Sequence, residues 1–224
     1  EFPCIRTEAV SPCPAMEGAL EQLSAYEWLG FTSAAGVEAF WTCLRGMGKD
    51  ARALGGVKLA AIGSATAKAL EDCGLTADLV PAVYDGAHLG AALAEQAGGK
   101  VLLLRAEIGS PVLTERLEQA GVSYDDIAVY RTHYGSPHSP QLRSALEAGE
   151  LDYVTFTSAS TVKGFAAAAG EGADFSGIVG LCIGEQTAAE ARRHGIPVRV
   201  AEAATIDALT ALACAVSKQD TIDT

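Results

Sequence analysis

The feature that most constrains this chain is a strand–turn–helix plan that it contains twice. Trp28-Leu-Gly-Phe-Thr-Ser-Ala-Ala-Gly-Val-Glu-Ala-Phe40 matches the segment from Tyr153 to Phe165 almost position for position: Thr32-Ser33 answers Thr157-Ser158, Val37 answers Val162 and Phe40 answers Phe165. A second repeated unit follows each copy. Leu59-Ala-Ala-Ile-Gly-Ser-Ala-Thr-Ala67 is answered by Leu181-Cys-Ile-Gly-Glu-Gln-Thr-Ala188, with Gly63 against Gly184, Thr66 against Thr187 and Gly74 against Gly195. Two matching units in the same order imply two α/β halves of similar plan. Each unit is a branched or aromatic strand running into helix-capping residues and then into apolar residues at helical spacing. In a parallel sheet such turns lie at the carboxyl ends of strands, where ligands bind, and the helix start offers free N–H groups to an anion.

The remaining chain alternates strands with helices, which predicts mostly parallel sheets. Helices are expected over Met16–Leu23, Gly36–Leu44, Ala65–Cys73, Ala87–Ala97, Pro111–Ala120, Leu142–Ala148, Thr161–Ala169, Gln186–His194 and Ile206–Val216. Strands are expected over Tyr26–Phe31, Val57–Ile62, Asp78–Pro81, Lys100–Arg105, Ser123–Tyr134, Tyr153–Thr157, Ile178–Ile183 and Pro197–Ala201. Gly135-Ser-Pro-His-Ser-Pro140 reads as a linker, and the polar tail Lys218–Thr224 as frayed. The second half holds only three strand candidates, and Glu1-Phe-Pro-Cys-Ile-Arg6 reads like the end of a strand. The expectation is that the second half lacks an upstream strand and helix.

With 224 residues and 49% hydrophobic content there is material for one or two real cores. Lys+Arg number 16 against Asp+Glu 28, a net charge of −12, which disfavours nucleic acid and anionic membrane as partners. An anionic ligand would have to be held locally, by amides, hydroxyls and a few arginines. No apolar run is long enough to cross a bilayer. The six cysteines show no Cys-x-x-Cys spacing and the four histidines no metal spacing, so no metal is expected. Cys43, Cys73, Cys182 and Cys214 sit in apolar contexts and read as buried thiols, and a reducing, cytoplasmic setting follows. There is no Gly-x-Ser-x-Gly elbow, Gly-x-Gly-x-x-Gly or P-loop, which argues against triad hydrolysis and nucleotide cofactors.

The candidate site residues each have a plain alternative. Ser33, Ser158, Thr66 and Thr187 can be caps or packing residues, or can face a ligand from equivalent points of the two halves. Arg105 and Arg131 end apolar strands, where a guanidinium can simply pair with a surface acid. Tyr130, at the crossing between halves, can be hinge packing or can point into a cleft.

The chain resembles the uroporphyrinogen-III synthase family. The residues that carry the likeness are Phe31-Thr-Ser33 with Gly36-Val37, Ile62-Gly63 with Thr66-Ala67, and Leu103-Leu104-Arg105. They continue with Val129-Tyr130-Arg131-Thr132, Phe156-Thr-Ser158, and Ile183-Gly184 with Thr187-Ala188. Their order and spacing from Phe2 to about Ala213, rather than any single motif, are specific. The resemblance implies two similar α/β domains, each a mostly parallel sheet flanked by helices, joined by a two-stranded ladder with a cleft between them. The inserted first domain would be residues 8–128, the ladder 1–7 and 129–134, and the second domain 135–224.

The resemblance also implies a lyase that dehydrates the linear tetrapyrrole hydroxymethylbilane and inverts its last pyrrole ring. It then closes uroporphyrinogen III, with no cofactor. By position Tyr130 matches the family's proposed proton donor. Ser33, Gly63, Thr66, Arg105, Ser158, Gly184 and Thr187 match substrate-binding positions. The chain would be a monomer in transient contact with the enzyme that makes the bilane, and its halves would close on substrate. A binding module of the same fold without turnover is the alternative, and a generic two-domain solute-binding protein a weaker one.

Overall fold

The computed structural model describes residues 2–135 and 139–222, the last six as backbone. The chain divides into two compact units. Thr7–Thr132 forms one, and Glu1–Arg6 with His133–Thr224 forms the other.

The Thr7–Thr132 unit is built on a sheet whose strands are β1 (Ile5–Ala9), β2 (Trp28–Phe31), β3 (Lys58–Ala61), β4 (Val101–Ala106) and β5 (Tyr124–Tyr134), in the order β1-β5-β4-β2-β3. β2 pairs in parallel with both β3 and β4, and β4 pairs in parallel with β5. The strands β2, β3 and β4 are buried on both faces and are near-continuous apolar runs, whereas β1 and much of β5 are polar and only partly covered. The period-2 alternation still sorts the side chains. Leu29, Phe31, Leu102 and Leu104 join the core under α1 (Pro14–Glu21), α2 (Ala34–Gly46) and α3 (Ser64–Asp72). Trp28, Val101 and Leu103 join the opposite core under α4 (Gly86–Gln96) and α5 (Val112–Gln119). The segment expected as a strand over Asp78–Pro81 makes only one bridge, Ala60 to Leu79. There the Asp78 carboxylate takes the Leu59 N–H at 2.7 Å, a side chain standing in for a strand partner.

The second unit carries α6 (Ser139–Glu147), β6 (Tyr153–Phe156), α7 (Ala159–Ala169), β7 (Val179–Cys182), α8 (Glu185–Arg193), β8 (Val198–Val200) and α9 (Ile206–Ile222). Its sheet runs β6-β7-β8, all parallel. Phe156, Val162, Phe165 and Ala188 build one core, and Leu181, Leu209 and Val216 the other.

The repeat persists in packing detail. Phe31 meets Phe40 edge-on at 5.3 Å, and Phe156 meets Phe165 edge-on at 5.4 Å. After α3 the Leu75 N–H reaches the Leu70 carbonyl across Gly74, and after α8 the Ile196 N–H reaches Ala191 across Gly195. Both glycines have φ +76°, the left-handed C′ position that favours glycine.

Three expectations need correction. Cys214 is exposed and Cys43 and Cys73 are only partly buried, while Cys4, Cys13 and Cys182 are buried. Cys214 falls between the positions that dock α9, Leu209, Leu212, Ala213 and Val216. The tail expected to fray from Lys218 has helical backbone as far as Ile222, the end of α9. Residues 136–138 of the expected linker, including His138, lie outside the described residues, and α6 begins at once at Ser139.

Candidate functional site

Each unit presents two helix N-termini at the carboxyl ends of adjacent parallel strands, and the two differ in kind. In the Thr7–Thr132 unit, α2 is capped by Ser33, whose hydroxyl accepts from the Gly36 N–H at 3.1 Å. In the other unit, α7 is capped by Ser158 in a reciprocal box. The Ser158 hydroxyl accepts from the Thr161 N–H, and the Thr161 hydroxyl accepts from the Ser158 N–H, each at 3.2 Å. These two serines thus serve their own helices.

α3 and α8 begin instead at glycine. Gly63 and Gly184 are both extended, at φ −172° and −169°, and neither has a side chain to cap the helix. The first intrahelical bonds run from Ala67 N–H to Gly63 and from Ala188 N–H to Gly184. Ahead of them, the N–H groups of residues 64–66 and 185–187 have no helical partner. Thr66 is 3% exposed and Thr187 4%. Among the described residues neither threonine hydroxyl has a protein partner, yet neither is sealed off, since the sole sealed and unpaired side-chain polar atom is Trp28 Nε1. A buried threonine whose open atom is its hydroxyl, beside unpaired N–H groups and the positive end of a helix, suits a carboxylate. The plan therefore yields one such corner per unit, at Gly63–Thr66 and at Gly184–Thr187, each with the chemistry that suits an anion.

Tyr130 belongs to the Thr7–Thr132 unit and is 8% exposed. The register of β5 against β4 slips between Arg105 and Ala106, so that Arg105 faces Ala128 but Ala106 faces Tyr130. Val129 is the extra residue of this bulge. Consecutive strand residues normally point to opposite faces, yet Val129 and Tyr130 enter the same core. The bulge turns Tyr130 toward α1 and α2, where it lines a cavity of about 690 Å³ with Thr7, Ser11, Cys13, Glu38 and Thr42. Its hydroxyl has no protein partner among the described residues and is not sealed. Nothing in the sequence pattern marks the bulge.

Arg105 is placed differently from a ligand-reaching side chain. It is 7% exposed, its Nε donates to Asp126 at 2.8 Å, one terminal nitrogen pairs with the same carboxylate, and the other donates to the Ser110 carbonyl at 2.8 Å. This is the plain reading of a strand-end arginine: it ties β4 to β5 and to the loop beyond. Arg131 pairs with Glu107 at 2.9 Å. Among the described residues no group of His, Cys, Asp and Glu has the geometry of a metal site.

Comparisons with known proteins agree with this architecture. The sequence model of uroporphyrinogen-III synthase HemD matches residues 1–211. The porphyrin biosynthesis protein HemD of Ruminiclostridium josui is 36% identical over 211 residues, which are 93% of this chain and 42% of that protein. The chain thus spans less than half the length of that relative. The uroporphyrinogen-III synthase of Chlorobaculum parvum is 27% identical over 80% of this chain and 74% of its own length. The crystal structure of a mutant uroporphyrinogen III synthase from Thermus thermophilus aligns with TM-score 0.70 and 24% identity, covering 97% of this chain and 88% of that one. At that identity the likeness speaks for the fold, and the two repeated α/β units are its counterpart here. With its sequence matched to the family over almost its whole length, this chain belongs to the uroporphyrinogen-III synthase family.

Proposed function

We propose that the chain cyclises hydroxymethylbilane to uroporphyrinogen III and water, as a hydro-lyase of tetrapyrrole synthesis. The observation that carries this reading is the pair of glycine-capped helix starts, each with unpaired N–H groups and a buried, open threonine hydroxyl. A bilane bears an acetate and a propionate on every pyrrole, and such corners bind carboxylates without making the protein basic. Ser33 and Ser158 would contribute through the remaining donor capacity of their hydroxyls, and Gly63 and Gly184 by leaving the helix starts open. Arg105 would act by holding the loop after β4.

Tyr130 is the proton donor in this reading. Its O–H protonates the terminal hydroxyl, the C–O bond breaks, and water leaves a cationic methylene-pyrrole. The last ring is attacked at its already substituted carbon, the spiro centre reopens, and the ring recloses inverted. Loss of the proton from the closing carbon restores the pyrrole and returns a proton to the phenolate. Much of the catalysis is positioning, because an unheld bilane closes to the wrong isomer. The chain would work as a cytoplasmic monomer, taking the bilane in transient contact with the enzyme that makes it.

The test is to supply the purified chain with freshly made hydroxymethylbilane, oxidise the products and separate the isomers. A type III excess that scales with protein supports the reading. Binding without a change in isomer ratio identifies a non-catalytic tetrapyrrole binder, and neither binding nor turnover removes the reading altogether.

A further inference from the structure

Tyr84 lies just before Asp85, the N-cap of α4, and is 40% exposed. An aromatic so open would ordinarily be loose, but its backbone is held on both sides. Upstream, the Leu79 carbonyl accepts from Ala61 N–H at 2.9 Å. Downstream, the Asp85 N–H donates to Val83, and the Asp85 carboxylate accepts from the His88 N–H at 2.8 Å. The ring rests directly on Gly63. A side chain at Gly63 would put its β-carbon 2.8 Å from Cγ and 2.9 Å from Cδ2 of Tyr84, closer than carbon atoms pack. The extended backbone of Gly63 is open to any residue, so glycine is required there by the ring and not by φ. At Gly184, the matching position of the other unit, the nearest group is the Ala204 β-carbon at 3.8 Å. The ring is therefore an addition to the repeated plan.

The ring thus stands at the start of α3, the helix whose Thr66 is almost fully buried with its hydroxyl open and unpaired among the described residues. We propose that Tyr84 forms, with the Gly63–Thr66 helix start, a subsite for one carboxylate-bearing pyrrole, the ring stacking on Tyr84 while the carboxylate takes the α3 N–H groups and Thr66. This rests on the tetrapyrrole reading and deepens it by assigning Tyr84 as a positioning residue. Tyrosine suits the task because its large flat face is ordered by only two torsions.

The experiment uses the full chain and two probes. One is a monopyrrole carrying an acetate and a propionate, and the other is propionate alone. Binding is followed by ligand-observed NMR for the unmodified protein, Tyr84→Leu, Tyr84→Phe and Gly63→Ala. The monopyrrole should bind roughly tenfold more weakly to Tyr84→Leu, the scale of one lost stacking contact. It should bind normally to Tyr84→Phe and weakly to Gly63→Ala, whose new methyl displaces the ring. Propionate should not distinguish unmodified protein from Tyr84→Leu. In the cyclisation assay Tyr84→Leu should raise KM with kcat little changed. Tyr84 lies outside the core clusters, so its variants should fold, and urea midpoints check that they do. Equal monopyrrole affinity for unmodified protein and Tyr84→Leu, in a chain that still makes type III product, overturns the subsite alone. Monopyrrole binding that depends on Tyr84, in a chain with no cyclisation, overturns the enzymatic reading and leaves the subsite standing.

Discussion

Tyr130 and Tyr26 belong to the same unit, and their surroundings suit them to opposite ends of chemistry. Tyr130 lines a cavity, and its hydroxyl has no protein partner among the described residues. If it is the proton donor, Tyr130→Phe keeps the ring packed in its core and removes only the proton. The expected loss in kcat is about 10²–10⁴-fold with KM little altered, the usual contribution of a placed acid. A loss under about tenfold, roughly 1.4 kcal/mol of barrier, would assign Tyr130 to packing or binding. Tyr26 instead donates to Asp125, whose other contact is Lys100 Nζ at 2.7 Å. Burial first, then this hydrogen bond and the charge of Asp125, push the Tyr26 phenol up to about 12 from an ordinary 10. The raised value means that folding favours the protonated phenol. The contribution is complete below pH about 10 and is lost as pH climbs toward about 12. Urea stability of the unmodified protein should therefore fall more steeply over that window than that of Tyr26→Phe. Parallel curves would show that the Tyr26–Asp125 contact does not persist in solution.

The four strand–helix elements of the repeat divide by their caps, and stability should separate from binding along that division. Ser158→Ala removes the hydroxyl that accepts from the Thr161 N–H, one half of the α7 capping box, and should lower unfolding free energy by about 1 kcal/mol, measured in urea. Thr66→Val and Thr187→Val replace a hydroxyl that no protein group uses among the described residues, so stability should stay within about 0.5 kcal/mol. Each should weaken a tetrapyrrole carboxylate contact by about tenfold or more, because hydrogen bonds to charged groups carry roughly 1.5–3 kcal/mol. A threonine variant that loses stability but keeps affinity would make the hydroxyl a packing feature. Much of this level is legible in the sequence. Strand runs such as Val101–Arg105 and the glycines at 74 and 195 signal their elements through apolar content and C′ geometry, and the match of Thr66 to Thr187 carries over to equal burial. What is not legible depends on neighbours distant in sequence. The β5 bulge that turns Tyr130 arises from pairing with β4, and the need for glycine at 63 arises from a ring 21 positions on. Whether Arg105 pairs with an acid or meets a ligand turns on Asp126, 21 positions on and on the neighbouring strand.

At the scale of the whole molecule the governing quantity is charge. The chain carries −12 at neutral pH, and the proposed substrate is itself a polyanion, so their long-range interaction is repulsive. In the proposed reading the attraction comes from groups that act at contact: the free N–H groups and threonine hydroxyls at the starts of α3 and α8. These two contributions respond unequally to salt. The Debye length shrinks from about 14 Å at ~0.05 M to about 8 Å at ~0.15 M ionic strength, which screens repulsion between separated charges but barely touches hydrogen bonds at contact distance. A porphyrin octacarboxylate used as a product-like ligand should therefore bind as tightly or more tightly as ionic strength rises over that range at pH 7.5. A protein that binds anions through a basic surface shows the reverse, as phosphate binders do when Lys and Arg contacts dominate. Repeating the titration in two potassium salts that differ in anion separates screening from direct competition, since a small anion can itself occupy a helix start. A dissociation constant that rises about tenfold in both salts would mean that a cationic patch receives the ligand. The glycine-capped helix starts would then lose their role in binding.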